Sequence, residues 1–140
     1  MTPDEAAHEA GRLRGAGLRP TRQRLALARL LFGAGHRHVS AEKLHEEAGQ
    51  ARIRVSLATV YNTLHHFTRA GLLNEVVVDA GRFYFDTNTH HHHHFYVQAE
   101  HRLIDIDGDS IRVDNLPAPP EDRAVDRVDV VIRLKGRHET

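Results

Sequence analysis

The chain has 140 residues, enough for one domain or two small ones, and its 40% hydrophobic and 27% charged content is typical of globular proteins. It contains no Cys, which excludes disulfides, thiolate zinc sites and cysteine nucleophiles and leaves His, Asp and Glu as the strong metal ligands. No stretch approaches the roughly 18 apolar residues of a membrane span, and Met1 is not followed by a signal-peptide pattern. We therefore expect a cytoplasmic protein without a membrane partner.

The net charge of zero hides an asymmetry between the two parts of the chain. Residues 1–85 carry 12 Lys and Arg against 8 Asp and Glu, whereas residues 86–140 carry 7 against 11. A basic first part favours a polyanion-binding module, and an acidic second part favours a cation-binding one.

Residues 4–16 predict a short helix that ends at Gly17. Three further helices are predicted to begin after a hydroxyl side chain that caps their first turn, and these N-caps are Thr21, Ser40 and Ser56. The helix after Ser56 has the clearest pattern, because its apolar residues recur at helical spacing: Leu57, Val60, Leu64 and Phe67. Thr59, Asn62, His66 and Arg69 lie away from that stripe, with Tyr61 on its flank.

A β-hairpin is predicted next, with strands over 73–79 and 82–85 and a turn at Ala80-Gly81. Helices followed by such a ribbon are typical of a winged helix-turn-helix, in which the last helix enters the DNA major groove. We therefore predict a DNA-binding domain over residues 1–85.

Residues 86–140 have a different pattern, with short strands predicted over 90–97, 102–107, 110–114 and 127–134 and a short helix over 121–125. A core of about 55 residues is marginal alone and is usually completed by dimerisation. The predicted fold class is α+β, with an N-terminal winged helix-turn-helix followed by a small α/β dimerisation domain.

His90 to His94 form a run of five histidines inside the chain, where a purification tag is not expected. If the run is extended, His92 and His94 face one side and His91 and His93 the other. Paired imidazoles on one face suit a metal ion, and a single histidine is enough to hold haem iron. A solvated run is the plainer alternative. His38, Asp86 and Asp105 could each complete a site or lie on the surface.

Enzyme motifs are lacking in the sequence, and we expect no enzyme. His45-Glu46 resembles the start of a zinc-protease helix, but position 49 is Gly, so the second histidine is missing. The alternatives left open are a metal- or haem-trafficking protein and a metal-dependent hydrolase.

The ordered motifs of the chain resemble the ferric uptake regulator (Fur) family. They are Ala16-Gly-Leu-Arg-Pro-Thr-Arg-Gln-Arg24, His38-Val-Ser-Ala-Glu42, Leu57-Ala-Thr-Val-Tyr-Asn-Thr-Leu64, Ala70-Gly-Leu-Leu73 and the histidine run. Within the family, the lack of Cys and residues 92–106 and 127–134 resemble the iron response regulator subfamily (Irr). This resemblance implies a regulator of iron and haem homeostasis genes that is released from DNA when haem binds at His92, His93 and His94.

The resemblance also implies DNA contacts. Tyr61 falls at a position that meets a thymine in the major groove, and Arg19 at a position that reaches the minor groove. Asn62 stands where Arg is common in the family, and an Asn can pair with adenine. The expected DNA-binding residues are Arg19, Ser56, Thr59, Tyr61 and Asn62.

The family's metal site between its two domains maps onto His38, Asp86, His94 and Asp105, with His92 as a possible fifth ligand. A second family site would use His91 and His93, but Arg112 stands at its Glu position and we expect that site to be lost. The family's structural zinc cysteines correspond to Val97 and Glu100, so that site is also absent.

The sequence therefore predicts a homodimer on a near-palindromic, AT-containing operator in double-stranded DNA. Haem is the expected signal. The alternative is a Fur-type repressor activated by a divalent ion, Fe, Mn or Zn. The sequence itself does not give the direction of the response.

Overall fold

The structure, a computed structural model, describes residues 1–79 and 81–138. The chain divides into two compact units, residues 1–89 and residues 90–140. The sequence analysis placed this division between residues 85 and 86.

Four helices make up most of the first unit: α1 (Pro3–Gly15), α2 (Arg22–Phe32), α3 (Ala41–Gln50) and α4 (Leu57–Arg69). The three predicted N-caps are confirmed, since Thr21, Ser40 and Ser56 each accept the backbone N–H three residues later at 3.1–3.2 Å. Such a cap contributes about 1 kcal/mol to a helix that would otherwise begin with unpaired N–H groups.

The core of the first unit contains the stripe of α4. Val60, Leu64 and Phe67 are fully buried, whereas Leu57 in the first turn is 37% exposed. These residues pack with apolar side chains of the other helices, including Leu13, Leu27, Leu31 and Leu44. Complete burial of one such side chain contributes about 1.5–3 kcal/mol. The outer face of α4 is thereby fixed relative to the rest of the unit.

A three-stranded sheet completes the first unit, formed by β1 (His38–Val39), β2 (Asn74–Asp79) and β3 (Arg82–Asp86) in the order β1-β3-β2. The predicted hairpin β2–β3 is confirmed. The predicted turn consists of Ala80, which lies outside the described residues, and Gly81. Gly81 has a φ of 74°, a value that glycine adopts readily. Strand β1 was not predicted, because two residues are too few to show an alternating pattern.

The second unit contains another three-stranded sheet, formed by β4 (His92–Val97), β5 (Arg102–Asp107) and β6 (Val131–Leu134) in the order β5-β4-β6. Strand β4 pairs antiparallel with β5 and parallel with β6. The histidine run therefore enters the central strand of this sheet.

Three predictions for the second unit are wrong. Residues 110–114 form no strand and residues 121–125 form no helix, although both segments belong to the described part of the chain, and the last strand begins at Val131 rather than at residue 127. The reason is the lack of packing, since Val113 in the first segment and Val125 in the second are 39% and 54% exposed. A strand or helix needs a surface on which to bury its apolar face.

Candidate DNA interface and metal ligands

The N-terminus of α4 carries two of the expected DNA contacts. Ser56 Oγ accepts the Thr59 N–H at 3.1 Å and donates its own proton to Thr59 Oγ1 at 2.9 Å. The Ser56 hydroxyl is therefore engaged in capping α4. The hydroxyl proton of Thr59 takes no part in its hydrogen bond with Ser56. Asn62, about one turn further along, is exposed.

Tyr61 is held by three elements of the first unit. Its hydroxyl donates a short hydrogen bond to the Glu42 carboxylate in the first turn of α3. Its ring stacks on His65, one turn along α4, and lies tilted against Phe83 of β3, with centroid distances of 6.4 and 6.5 Å. The hydrogen bond to Glu42 raises the pKa of Tyr61, because the bond is made by the protonated phenol.

Arg19 is exposed on the loop before α2. The guanidinium of Arg24 donates to the Arg19 carbonyl at 2.9 Å and lies 3.3 Å from His66 Nδ1 on α4. One side chain thus ties the loop that carries Arg19 to the helix that carries Tyr61.

His38 and Asp86 form the first pair of expected metal ligands. They lie opposite each other in the β1–β3 ladder, with His38 Nε2 3.3 Å from Asp86 Oδ2. The Asp86 side chain is 1% exposed and that of His38 is 17% exposed. Burial of a carboxylate next to an imidazole is costly unless the two groups are paired or bind a cation.

The neighbouring residues hold this pair in register. The N–H of Arg37 donates to Thr87 Oγ1 at 2.8 Å, and the N–H of Thr87 donates to the Arg37 carbonyl at 3.0 Å. The Arg37 guanidinium makes a bidentate ion pair with Glu47 of α3, at 2.8 and 2.6 Å, and this hydrogen bonding lowers the pKa of Glu47.

His92, His94 and Asp105 form a second group of ligands, in the second unit. His94 lies opposite Asp105 in the β4–β5 ladder and His92 lies on the diagonal. Asp105 Oδ1 is 3.5 Å from His92 Nε2 and 3.4 Å from His94 Nε2. Both imidazole side chains are nearly buried, at 7% and 6% exposed. One carboxylate therefore orients two imidazoles on the same face of the sheet.

His93 faces the other side of β4 and is 2% exposed. The backbone N–H of Val130 donates to its Nδ1 atom at 3.1 Å, so that nitrogen carries a lone pair and the ring proton is on Nε2. Burial lowers the pKa of His93, and the charge of the nearby His91 lowers it further. His93 therefore attaches the segment before β6 to β4 as a neutral imidazole.

Residues at the second family site, which the sequence analysis expected to be lost, also have structural partners. The His91 ring lies 4.9 Å from that of His93 and packs against Gly108, where an added Cβ would come within 2.4 Å of it. Arg112 forms an exposed ion pair with Asp114 at 2.9 Å.

Comparison with known proteins decides the family. The ferric uptake regulator family matches residues 15–122, more than half of the chain. The chain belongs to the ferric uptake regulator family. The predicted α+β fold with its N-terminal winged helix is thereby confirmed.

One group of curated relatives is named for its response to peroxide. The peroxide-responsive repressor PerR of Staphylococcus aureus is 32% identical over 93 residues, which cover 66% of this chain and 62% of that protein. The present chain therefore matches only about three fifths of the length of this curated relative.

Solved structures of the family match over most of both chains. The ferric uptake regulator of Pseudomonas aeruginosa, solved with manganese, is 25% identical, with a TM-score of 0.68 over 92% of this chain and 98% of that one. The Vibrio cholerae regulator has a TM-score of 0.70 at 24% identity, over 90% and 98% of the two chains.

Sequence reasoning proposed His38, Asp86, His92, His94 and Asp105 as ligands but missed the residues that support them. Glu42 ends the family motif that begins at His38, but its position in the sequence gives no sign of its contact with Tyr61. Arg37 and Thr87 pair only because β1 joins β3, and that strand was not predicted. No helix in the described part of the chain is long and apolar enough to cross a membrane.

Proposed function

We propose that this chain is a DNA-binding transcriptional regulator, acting as a repressor whose affinity for DNA is set by a divalent metal ion. The observation that carries the proposal is the ligand geometry. The chain belongs to a family of winged-helix proteins, and in two places a carboxylate lies against histidine side chains. These places are His38–Asp86 and His92–His94–Asp105.

The donor atoms fit such an ion. We propose His38, Asp86, His92, His94 and Asp105 as the ligand set, which offers three imidazoles and two carboxylates. Imidazole suits zinc and iron, and carboxylate suits manganese, so a mixed set favours Fe, Mn or Zn over magnesium or a thiolate-bound metal. When bound, the ion would supply a positive charge that stabilises the arrangement of the chain in which its ligands are held. If that arrangement differs in its affinity for DNA, metal binding is coupled to DNA binding.

DNA recognition is assigned to the outer face of α4 and its surroundings, that is to Arg19, Ser56, Thr59, Tyr61 and Asn62. We propose a cytoplasmic homodimer that presents two α4 helices to a near-palindromic, AT-containing operator, its half-sites about one helical turn apart. In this function the protein regulates iron homeostasis genes and is not an enzyme.

Release from DNA by haem at His92, His93 and His94 is the second candidate. It is favoured by the histidine run and by the resemblance of residues 92–106 to the iron response regulator subfamily. Haem iron would have to displace Asp105 from two nearly buried imidazoles, or the Val130 N–H from His93. We therefore place the divalent ion first.

Selection of bound duplexes from a random pool tests the proposal. The protein is used after chelation and again with Mn²⁺ added, with Tyr61→Ala as the matched variant and circular dichroism as the check of its fold. We expect a near-palindromic duplex to be enriched only with Mn²⁺, and not by the folded Tyr61→Ala protein. Failure to enrich any duplex under either condition would sink the proposal and favour a metal-trafficking protein.

A further inference from the structure

Glu9 of α1 is a carboxylate that is completely buried in the first unit. Its Oε1 atom lies 3.4 Å from Arg12 Nε and 3.9 Å from His8 Nε2. Its Oε2 atom has no hydrogen bond with any residue in the described part of the chain. Burial of a carboxylate with so few partners costs stability, and such costs are typical of functional sites. The closest partner of Glu9, Arg12, is therefore a candidate for a function.

The Arg12 side chain is held from two sides. Its Nε atom donates to Glu9, and its guanidinium carbon lies 4.5 Å from the centroid of the Phe32 ring at the end of α2. Its Nη2 atom lies 3.4 Å from His8 Nε2, whereas Nη1 has no hydrogen bond with any described residue. The side chain is 32% exposed. A guanidinium fixed in this way can bind a ligand with little further loss of conformational entropy.

Arg12 lines a cavity of about 190 Å³ in the first unit. The rest of the described lining comes from the end of α2, the segment that precedes β1 and the residue that follows β3, and consists of Phe32, Gly35, His36 and Thr87. This lining contains a guanidinium and an imidazole but no carboxylate. Pockets for drug-sized ligands are larger, roughly 300–1,000 Å³, so the cavity suits a small ligand.

The chemistry of the lining favours a negatively charged ligand. The N–H groups of a guanidinium match two oxygens of a phosphate or a carboxylate, and bonds of this kind are stronger than those between neutral groups. The His36 imidazole offers a further N–H donor from the opposite part of the chain. A small oxyanion would thus meet donors from α1 and from the segment before β1.

We propose that this cavity binds a small free oxyanion, of which orthophosphate is the simplest, through Arg12 and His36. Glu9 and Phe32 act as positioning residues that hold the guanidinium. The inference goes beyond the proposed function and does not depend on it. Thr87 directly follows Asp86, so the anion would lie beside the segment that carries one proposed metal ligand.

A phosphate titration followed by nuclear magnetic resonance tests the proposal. Orthophosphate is added to the chelated, ¹⁵N-labelled full-length protein, and chloride keeps the ionic strength constant. We expect saturable shifts of the Gly35, His36 and Thr87 amide signals. The amide of Gly49, on α3, is the internal control and is expected not to shift.

The variants must remove Arg12 without leaving the Glu9 charge buried and unpaired, because such a charge can prevent folding. The comparison is therefore between Glu9→Gln and the double variant Glu9→Gln/Arg12→Met, with circular dichroism as the check of the fold. We expect Glu9→Gln to bind orthophosphate and the double variant to bind it at least about tenfold more weakly, through loss of charge-assisted hydrogen bonds. Arg14→Met removes an exposed arginine from the same helix and is expected to bind as the wild type does.

Three results would overturn the proposal. The lack of a saturable shift in the wild type means that the cavity does not bind the anion. Equal affinity of the two folded Glu9 variants means that Arg12 is not its ligand. Shifts of the same three amides by a DNA duplex, but not by orthophosphate, would assign the guanidinium to the nucleic-acid backbone instead of a free anion.

Discussion

His38 lies directly opposite Asp86 in the ladder between β1 and β3, with its Nε2 atom 3.3 Å from Asp86 Oδ2. The two residues are 48 positions apart in the sequence, and the pairing of a two-residue strand brings them together. Arg37 and Thr87, next to them, exchange backbone and side-chain hydrogen bonds that fix this register. A buried carboxylate held against an imidazole in this way is suited to a cation.

We expect His38→Ala and Asp86→Asn each to weaken Mn²⁺ binding by at least about tenfold, because each removes a proposed ligand or its charge. Isothermal titration calorimetry of the chelated protein measures the effect. His36→Ala is the control, since His36 is an exposed neighbour outside the ligand set. If both variants bind Mn²⁺ with wild-type affinity, His38 and Asp86 are not ligands of the ion.

Asp105→Asn keeps the size of the side chain and loses the charge that faces His92 and His94. We expect Mn²⁺ affinity to fall by roughly tenfold or more. Haem binding, followed by its Soret absorbance, is not expected to fall, because haem would have to displace this carboxylate. Asp109→Asn, an exposed carboxylate nearby, serves as the control. The opposite pattern, with Mn²⁺ binding intact, would favour haem as the ligand.

The secondary structure of the first unit could be predicted in large part because its signals are local. Thr21, Ser40 and Ser56 are hydroxyl residues before helical stripes, and each was found as an N-cap. Strand β1 was not predicted because it forms by pairing with β3, which lies far along the chain.

The second unit was predicted less well for the same physical reason. Val113 and Leu116 have strand-like or apolar character, but they are 39% and 51% exposed and have no surface on which to pack in the single chain. At the candidate metal site, the alternation of an extended histidine run predicted that His92 and His94 lie on the same face. The attachment of Val130 to His93 depends on the parallel pairing of β6, which local sequence does not encode.

The stability of the metal-free protein is expected to depend on pH through His93. Burial lowers the pKa of His93 in the folded state, so the unfolded chain binds the proton more readily. The contribution of the neutral ring is therefore complete above the unfolded pKa of about 6.5 and is lost as the pH falls towards the folded pKa. Urea unfolding at several pH values between about 7.5 and 5 measures the loss.

His93→Asn is the variant for that experiment, because its side-chain oxygen can accept the Val130 N–H but does not titrate in this range. We expect the wild type to lose stability relative to His93→Asn as the pH falls below about 6.5. Parallel curves for the two proteins would mean that His93 makes no contribution to the pH dependence.

Arg37→Met is expected to destabilise the first unit by about 1.5–3 kcal/mol at neutral pH, because the bidentate bond to Glu47 and the bond to the Leu30 carbonyl are lost. Arg37 lowers the pKa of Glu47, so this contribution is present above the ordinary glutamate pKa of 4.5 and is lost as the pH falls through the lower pKa of the folded state. Urea unfolding followed by helical circular dichroism at pH 7 and below pH 4 measures the difference.

Arg102→Met is the matched control, since its ion pair with Glu100 is exposed, with both side chains more than half accessible. Such a pair contributes at most about 1 kcal/mol. Equal losses in the two variants would contradict a special role for Arg37 in holding the strand that carries His38.

The most direct test of metal control is a fluorescence-anisotropy titration of chelated protein onto its selected duplex, repeated with Mn²⁺ and separately with haem. We predict weak, strongly salt-dependent binding without metal and tight binding once Mn²⁺ is added, with that gain lost in His38→Ala and Asp105→Asn. Tight binding by the chelated protein that haem then weakens would contradict metal control and establish haem at the histidine run as the signal.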